Sequence, residues 1–158
     1  MHSRNIAEYI SGYVDGEGCF SVSFTKRPRF TIGWETKPSF SVSQNHYRAE
    51  VLYMMHEYFN AGHLRRDSSD QTLKFEIRRL DDLIEKVIPH FDTYPLLSGK
   101  HADFKRFRDV CMLMKHDAHT TYEGFERIVH IAFAMNESGR RRRTKEDVLT
   151  FAQLQMKV

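Results

Sequence analysis

The chain has 158 residues, 41% of them hydrophobic and 13% aromatic, which is enough to close one core, and nothing in it suggests two domains. Its formal net charge of +3 at pH 7 excludes a histone-like polycation, and no apolar run approaches the roughly 18 residues that cross a bilayer. Met1-His2-Ser3-Arg4-Asn5 is no secretory leader, and Cys19 and Cys111 lack motif spacing and read as reduced thiols, so a soluble intracellular protein with no membrane partner is expected.

Asn5 caps a first helix, with Glu8 three residues on, and Ile6, Ile10 and Val14 recur every four residues. Gly12 and Gly16 fall on one face of it, and glycines so spaced let another backbone come close, although Gly12 costs about 1 kcal/mol relative to Ala. Asp15 and Glu17 sit where the helix dipole is negative, so a cation should gather there. The plainer alternative is a solvated turn, capped by Gly16 and Gly18, with both acids at the surface.

Phe20, Val22 and Phe24 alternate with Cys19, Ser21, Ser23 and Thr25, a half-buried strand. A loop carrying Lys26, Arg27, Pro28 and Arg29 follows, then a second strand from about Trp34 to Ser43. In that strand Phe40 and Val42 point inward and Lys37, Ser39, Ser41 and Ser43 outward, while Pro38 favours an edge or a bulge. The period then lengthens into a helix from Tyr47 to Phe59, ending at Gly62. His63 to Arg66 and Thr72 to Arg78 form a hairpin, with Leu73, Phe75 and Ile77 inward and Thr72, Lys74 and Glu76 outward. Asp81 opens a helix expected to run through Ile88, before Pro89. Ser98 opens another through about Met114, Thr120-x-x-Glu123 reads as a capping box for a helix to about Met135, and Thr144-x-x-Asp147 opens the last. Between those two lies Arg140-Arg141-Arg142-Arg143, a run that reads equally as a solvated face or as a nucleic-acid contact. Cys111, His116 and His119 offer only three ligands at no standard zinc spacing and read as structural or surface residues.

The stretch Ile10-Ser11-Gly12-Tyr13-Val14-Asp15-Gly16-Glu17-Gly18 resembles the motif of the LAGLIDADG homing endonucleases, of the single-motif homodimeric type. The resemblance implies an α+β fold, an α-β-β-α-β-β-α core with a four-stranded antiparallel DNA-binding sheet plus C-terminal helices. One endonuclease domain would span residues 1–158, with its core over about 3–92 and the helical part over about 96–156. It further implies that Ser11, Gly12, Asp15 and Gly16 pair two motif helices across a homodimer, and that Glu17, with the Gly16 carbonyl, holds Mg²⁺ or Mn²⁺. Gln44, closing Phe40-Ser41-Val42-Ser43-Gln44, and Lys100, opening a helix, match the family's other active-site positions.

The sheet would lie along double-stranded DNA with Ser21, Ser23, Thr25, Lys26, Arg27, Lys37, Ser39, Ser41, Arg65, Thr72 and Lys74 toward it. Asn136, Ser138, Arg141 and Arg143 would clamp the phosphate backbone. The implied activity is a metal-dependent, staggered double-strand break with 3′ overhangs in a long, nearly palindromic site. The alternative on the same fold is a nuclease-inactive DNA-binding protein or an intron-splicing maturase, which makes intron RNA a further partner to test. A bacterial cytoplasm and an organelle are equally compatible with these features.

Overall fold

The computed structural model describes residues 4–136 and 141–157. Helix α1 (Ile6–Glu17) starts where Asn5, in extended backbone, accepts a hydrogen bond from the Glu8 amide at 3.2 Å, as the spacing predicts. Its Ala7, Ile10, Ser11 and Val14 are buried, while Gly12, Gly16 and Glu17 are exposed. The chain leaves the helix at Gly18, where a Cβ would stand 2.5 Å from Val14 Cγ1 and 2.9 Å from the Val14 carbonyl oxygen, so only glycine fits.

From there runs β1 (Gly18–Lys26), followed by β2 (Trp34–Asn45), β3 (His63–Asp67) and β4 (Thr72–Ile77), in a four-stranded sheet of order β1-β2-β4-β3. β4 runs antiparallel to β2, with Phe40 opposite Ile77, and antiparallel to β3, with His63 opposite Glu76. The β2–β4 register begins at Phe40, so Pro38 lies outside it and its missing N–H removes no bond from that ladder. Helix α2 (Glu50–Phe59) separates the two strand pairs, and the α-β-β-α-β-β-α order read from the sequence is completed by the helical segment after β4.

The molecule consists of two compact units, Met1–Phe20 with Ser39–Ala102, and Ser21–Pro38 with Asp103–Val158. In the first, period-two alternation puts Phe40 and Val42 of β2 and Leu73, Phe75 and Ile77 of β4 on one buried face. Phe40 is the hub, its ring centroid 5.3 Å from Phe20, 5.5 Å from Phe91, 5.8 Å from Phe59 and 6.3 Å from Phe75. In the second, Ile32 and Trp34 pack with Phe125 and Val129 of α6 (Tyr122–Phe133) and with Val148 and Ala152 of α7 (Lys145–Met156). The Trp34 indole donates to the Val148 carbonyl at 3.0 Å. Helix α5 (Lys100–Lys115) buries Phe104, Phe107, Val110, Cys111 and Met114. Among the described residues no helix is long and apolar enough to cross a membrane.

Three local expectations need correction. The helix expected from Tyr47 starts at Glu50, because the Asn45 side chain accepts from the Tyr47 amide at 3.0 Å and winds His46–Arg48 into a 3₁₀ turn first. The helix expected to stop before Pro89 runs on instead, from α3 (Leu80–Asp82) through a π-helical stretch, Leu83–Val87, into α4 (Ile88–Thr93). The wider turns ahead of the ring relieve the clash that would otherwise end the helix, and Arg79 rather than Asp81 precedes the first turn. The cap of α6 is Thr121, whose hydroxyl accepts from the Gly124 amide at 3.2 Å, whereas Thr120 closes a 3₁₀ turn, Ala118–Thr120. By contrast, Thr144 and Asp147 form the expected capping box of α7, at 3.1 and 3.4 Å.

Removing the hub ring leaves four aromatic neighbours around a void, so Phe40→Ala should cost about 3–5 kcal/mol in chemical denaturation. A loss below 1 kcal/mol would show that the neighbours do not depend on it.

Candidate functional site at the end of the first helix

The carboxyl end of α1 gathers the residues matched to active-site positions. Lys100 Nζ donates to the Val14 carbonyl at 3.0 Å, so a cation does meet the negative end of the helix. The Gln44 amide, at the end of β2, donates to the Tyr13 hydroxyl at 2.7 Å, and its carbonyl oxygen accepts from the Asn45 amide at 2.8 Å. Glu17 is the helix's last residue; it is exposed, and among the described residues its carboxylate has no hydrogen-bond or ion-pair partner. Lys100 and Gln44 are thus anchored to adjacent residues of the helix that ends in Glu17. A hard carboxylate oxygen, unpaired and open to solvent, fits a divalent cation of the Mg²⁺ type.

The other acid of the motif has a different fate. Asp15 Oδ2 accepts from the amides of Leu97 at 2.9 Å and Ser98 at 3.0 Å, and Oδ1 accepts from the Ser98 hydroxyl. Burial alone would raise its pKa, but the Ser98 hydroxyl, these amides and the Lys100 charge hold the carboxyl below its ordinary value. Asp15 therefore fastens its own chain.

Ser11, expected at a dimer interface, is likewise buried in its own unit: its hydroxyl donates to the Tyr94 carbonyl at 2.6 Å and lies 3.0 Å from His90 Nε2. With its one proton committed, Ser11 must accept from His90 Nε2–H, and His90 Nδ1 accepts from the Tyr58 hydroxyl at 2.8 Å. A neutral His90 satisfies this network, and burial lowers its pKa from 6.5 to about 4. Gly12 and Gly16 differ from their two neighbours, since a Cβ on either would meet nothing within 4 Å. Both glycines lie among the exposed residues of α1.

The expected sheet-face residues divide in the same way. Arg65 is exposed, Lys37 and Thr72 are half-buried, and the Thr72 hydroxyl donates to Asp70. Ser39 and Ser41, expected to be open to solvent, are buried, and the Ser39 hydroxyl donates to Glu76 Oε2 at 2.9 Å. Ser41 lies opposite Glu76 in the β2–β4 register. In the second unit Ser21, Ser23, Asn136, Arg141 and Arg143 line one cleft of about 270 Å³. Thr25 is half-buried, and Lys26 lies 4.5 Å from the Phe151 ring centroid. Arg27 pairs with Glu35 at 3.1 Å. Arg141, expected to hold phosphate, is bound to its own unit: its guanidinium donates to the Val22 carbonyl at 3.0 Å and to the Ala132 carbonyl, and lies 4.4 Å from the Phe133 centroid. Arg143 lies 5.3 Å from the Trp34 centroid. Ser138 falls outside the described residues.

Sequence reasoning missed Tyr13, Ser98 and Glu76. Tyr13 stands inside the motif one turn before Glu17, and Glu76 stands two residues from a base on either side, a strand spacing that places all three on one face.

A helix that exposes Gly12 and Gly16 and ends in Glu17, followed by a four-stranded antiparallel sheet interleaved with helices, defines an α+β protein. Residues 10–111 match the family described as LAGLIDADG endonuclease, and the chain belongs to that family. It is 32% identical over 129 residues to the probable intron-encoded endonuclease 2 of Neurospora crassa, across 81% of this chain and 28% of that protein. The chain spans 24–28% of the length of the first four curated relatives it matches. Among solved structures, the homing endonuclease I-TnaI superposes with a TM-score of 0.81 at 29% identity, covering 98% of this chain and 99% of that one. The LAGLIDADG homing endonuclease I-LtrWI, bound to target DNA, gives a TM-score of 0.85 at 31% identity, over 90% of this chain and 48% of that one.

Two measurements check this geometry. His90 is harder to protonate folded than unfolded, so its contribution to stability is fully present above pH 6.5 and is lost as pH falls toward about 4. Urea melts over that window should show stability dropping by up to about 1.4 kcal/mol per pH unit, and His90→Gln should remove that component of the slope. Arg141→Ala should destabilise by about 1.5–3 kcal/mol, the range for hydrogen bonds to a charged group, whereas Arg143→Ala should cost under about 1 kcal/mol. Equal effects would place both arginines in the same surface role.

Proposed function

We propose that the chain is a site-specific DNA endonuclease that works as a homodimer on a long, nearly palindromic duplex target. The observation that carries this reading is the set of three groups at one helix end: Glu17 unpaired, Lys100 on the Val14 carbonyl and Gln44 on the Tyr13 hydroxyl. Each motif supplies one such end and cutting both strands takes two, and in this reading a second copy of the chain supplies the other. The bare Gly12 and Gly16 face supports that pairing, because it lets two α1 backbones approach without side chains between them.

Glu17 and the Gly16 carbonyl would hold Mg²⁺ or Mn²⁺, which supplies Lewis acidity at the scissile phosphate and lowers the pKa of a bound water. The residues themselves do the rest. Gln44, its amide fixed by Tyr13, orients the attacking water. Lys100, already a donor at the helix end, stabilises negative charge gathering on the phosphate oxygens. The polar faces of the strands, with Arg65 and Lys74, meet base edges and phosphates in the major groove, as expected of a curved ribbon. Breakage would leave staggered ends with 3′ overhangs.

Glu17→Gln should abolish cutting of a plasmid library with Mg²⁺ while DNA binding in Ca²⁺ stays within about threefold. Wild-type cutting by that variant would remove Glu17 from the reaction. Lys100→Met should lower the single-turnover cleavage rate at least about 100-fold while changing binding less than tenfold. A pure loss of affinity would make Lys100 a phosphate anchor.

A further inference from the structure

Glu76 is an acid at the centre of a basic face. It sits on β4, opposite Ser41 of β2 and His63 of β3, and is 4% exposed. Its Oε1 meets Arg78 Nε at 2.8 Å and lies 3.9 Å from His63 Nε2, and its Oε2 meets Lys74 Nζ at 3.1 Å and accepts from the Ser39 hydroxyl at 2.9 Å. The three bases project over it, with His63 and Arg78 more than half exposed and Lys74 about one-third exposed. Burying a carboxylate is unfavourable unless its oxygens are fully engaged, and here both are. Burial alone would raise the Glu76 pKa, yet its bonds to Lys74 and Ser39 and the nearby Lys74 and Arg78 charges hold it below the ordinary value, so it is ionised at neutral pH.

On a surface used to hold DNA, such a charge works against affinity, because it cancels cations that would otherwise neutralise phosphates and release counterions. Stability is weak ground for it too, since a buried ion pair replaced whole by apolar residues is often no less stable. What the carboxylate does supply is direction. A free lysine or arginine carries about 2 kcal/mol of rotamer entropy and swings to the nearest phosphate whatever the sequence, whereas a tethered one offers its donors along a fixed line. Fixed donors distinguish base edges, and swinging ones do not.

Resting on the reading that this face lies against DNA, we propose that Glu76 is a specificity-setting positioning residue. It holds Lys74 and Arg78 in place and lowers their grip on arbitrary sequence, without itself touching DNA.

The test uses the full chain in Ca²⁺. Wild-type protein enriches a duplex from a randomised library, and anisotropy across a salt series compares that duplex with the unselected library. Glu76→Gln should tighten binding to the unselected library, steepen its log–log salt slope by about one to two, and lower the selected-to-unselected ratio at least about tenfold. Glu76→Asp keeps the charge with one methylene less reach, so its slope should stay at the wild-type value while the ratio still falls. Circular dichroism establishes which variant is folded, and either one alone decides the matter. A ratio within twofold of wild type, or equal weakening toward both DNAs, would overturn the inference and leave Glu76 a structural ion pair. If the wild-type protein enriches nothing, the DNA-face reading fails first and this inference falls with it.

Discussion

The candidate site depends on one electrostatic anomaly, a helix whose negative end carries two acids and no base of its own. Left alone, that end would repel its own side chains. The fold answers it from the segment after α4. Lys100 places its ammonium on the Val14 carbonyl, and the amides of Leu97 and Ser98 take the Asp15 carboxylate. These contacts hold the start of α5 against the end of α1 and bring a lysine far away in sequence beside the motif. They also leave one acid without a partner. Among the described residues Glu17 has no such donors.

The same helix sorts its residues around its circumference. Ile10, Val14 and Ser11 turn inward, and Ser11 is fixed by a hydroxyl–imidazole chain that needs His90 neutral. Gly12 and Gly16 turn outward to open space. In a soluble helix, glycine at an open position is destabilising by roughly 1 kcal/mol against alanine, so two of them four residues apart are a standing cost unless something requires the absence of side chains. A second backbone at close range is such a requirement.

Much of this was legible in the sequence, where each signal was local. The Asn5 cap, the alternation through Phe20–Phe24 and Phe40–Val42, and the Thr144–Asp147 box all formed as their spacing predicts, because the contacts that make them lie within a few residues. Glu17, Gln44 and Lys100 are singled out by the motif resemblance rather than by periodicity; Gln44 bonds to Tyr13, Lys100 to Val14, and Glu17 is the last residue of the same helix. The misses share a cause. Pro89 passes inside a helix because π-helical turns precede it, a choice made by packing around Leu83 and Val87 that composition does not reveal. The bonds that Ser11, Asp15 and Arg141 make to their own chain were not legible, because the partners are carbonyls, amides and a histidine 9 to 119 positions away. Period-two logic gave Ser39 and Ser41 the correct face but not their cover, since exposure depends on which neighbour leans over them.

Three acids, Asp15, Glu17 and Glu76, are read by accounting for their partners. Asp15 is answered by amides and a hydroxyl, which hold the Leu97–Ser98 segment to α1. Glu76 is answered by two bases, with a third 3.9 Å away, and by a hydroxyl, so the acid also fixes the bases around it. Glu17 is answered by nothing among the described residues and stands at a helix end that disfavours anions. An exposed carboxylate can tolerate that position in water, but close approach of a phosphate and a second helix end would multiply the repulsion. A divalent cation between them would turn each of those repulsions into an attraction, and on that ground the metal is proposed at Glu17 rather than at the two well-bonded acids.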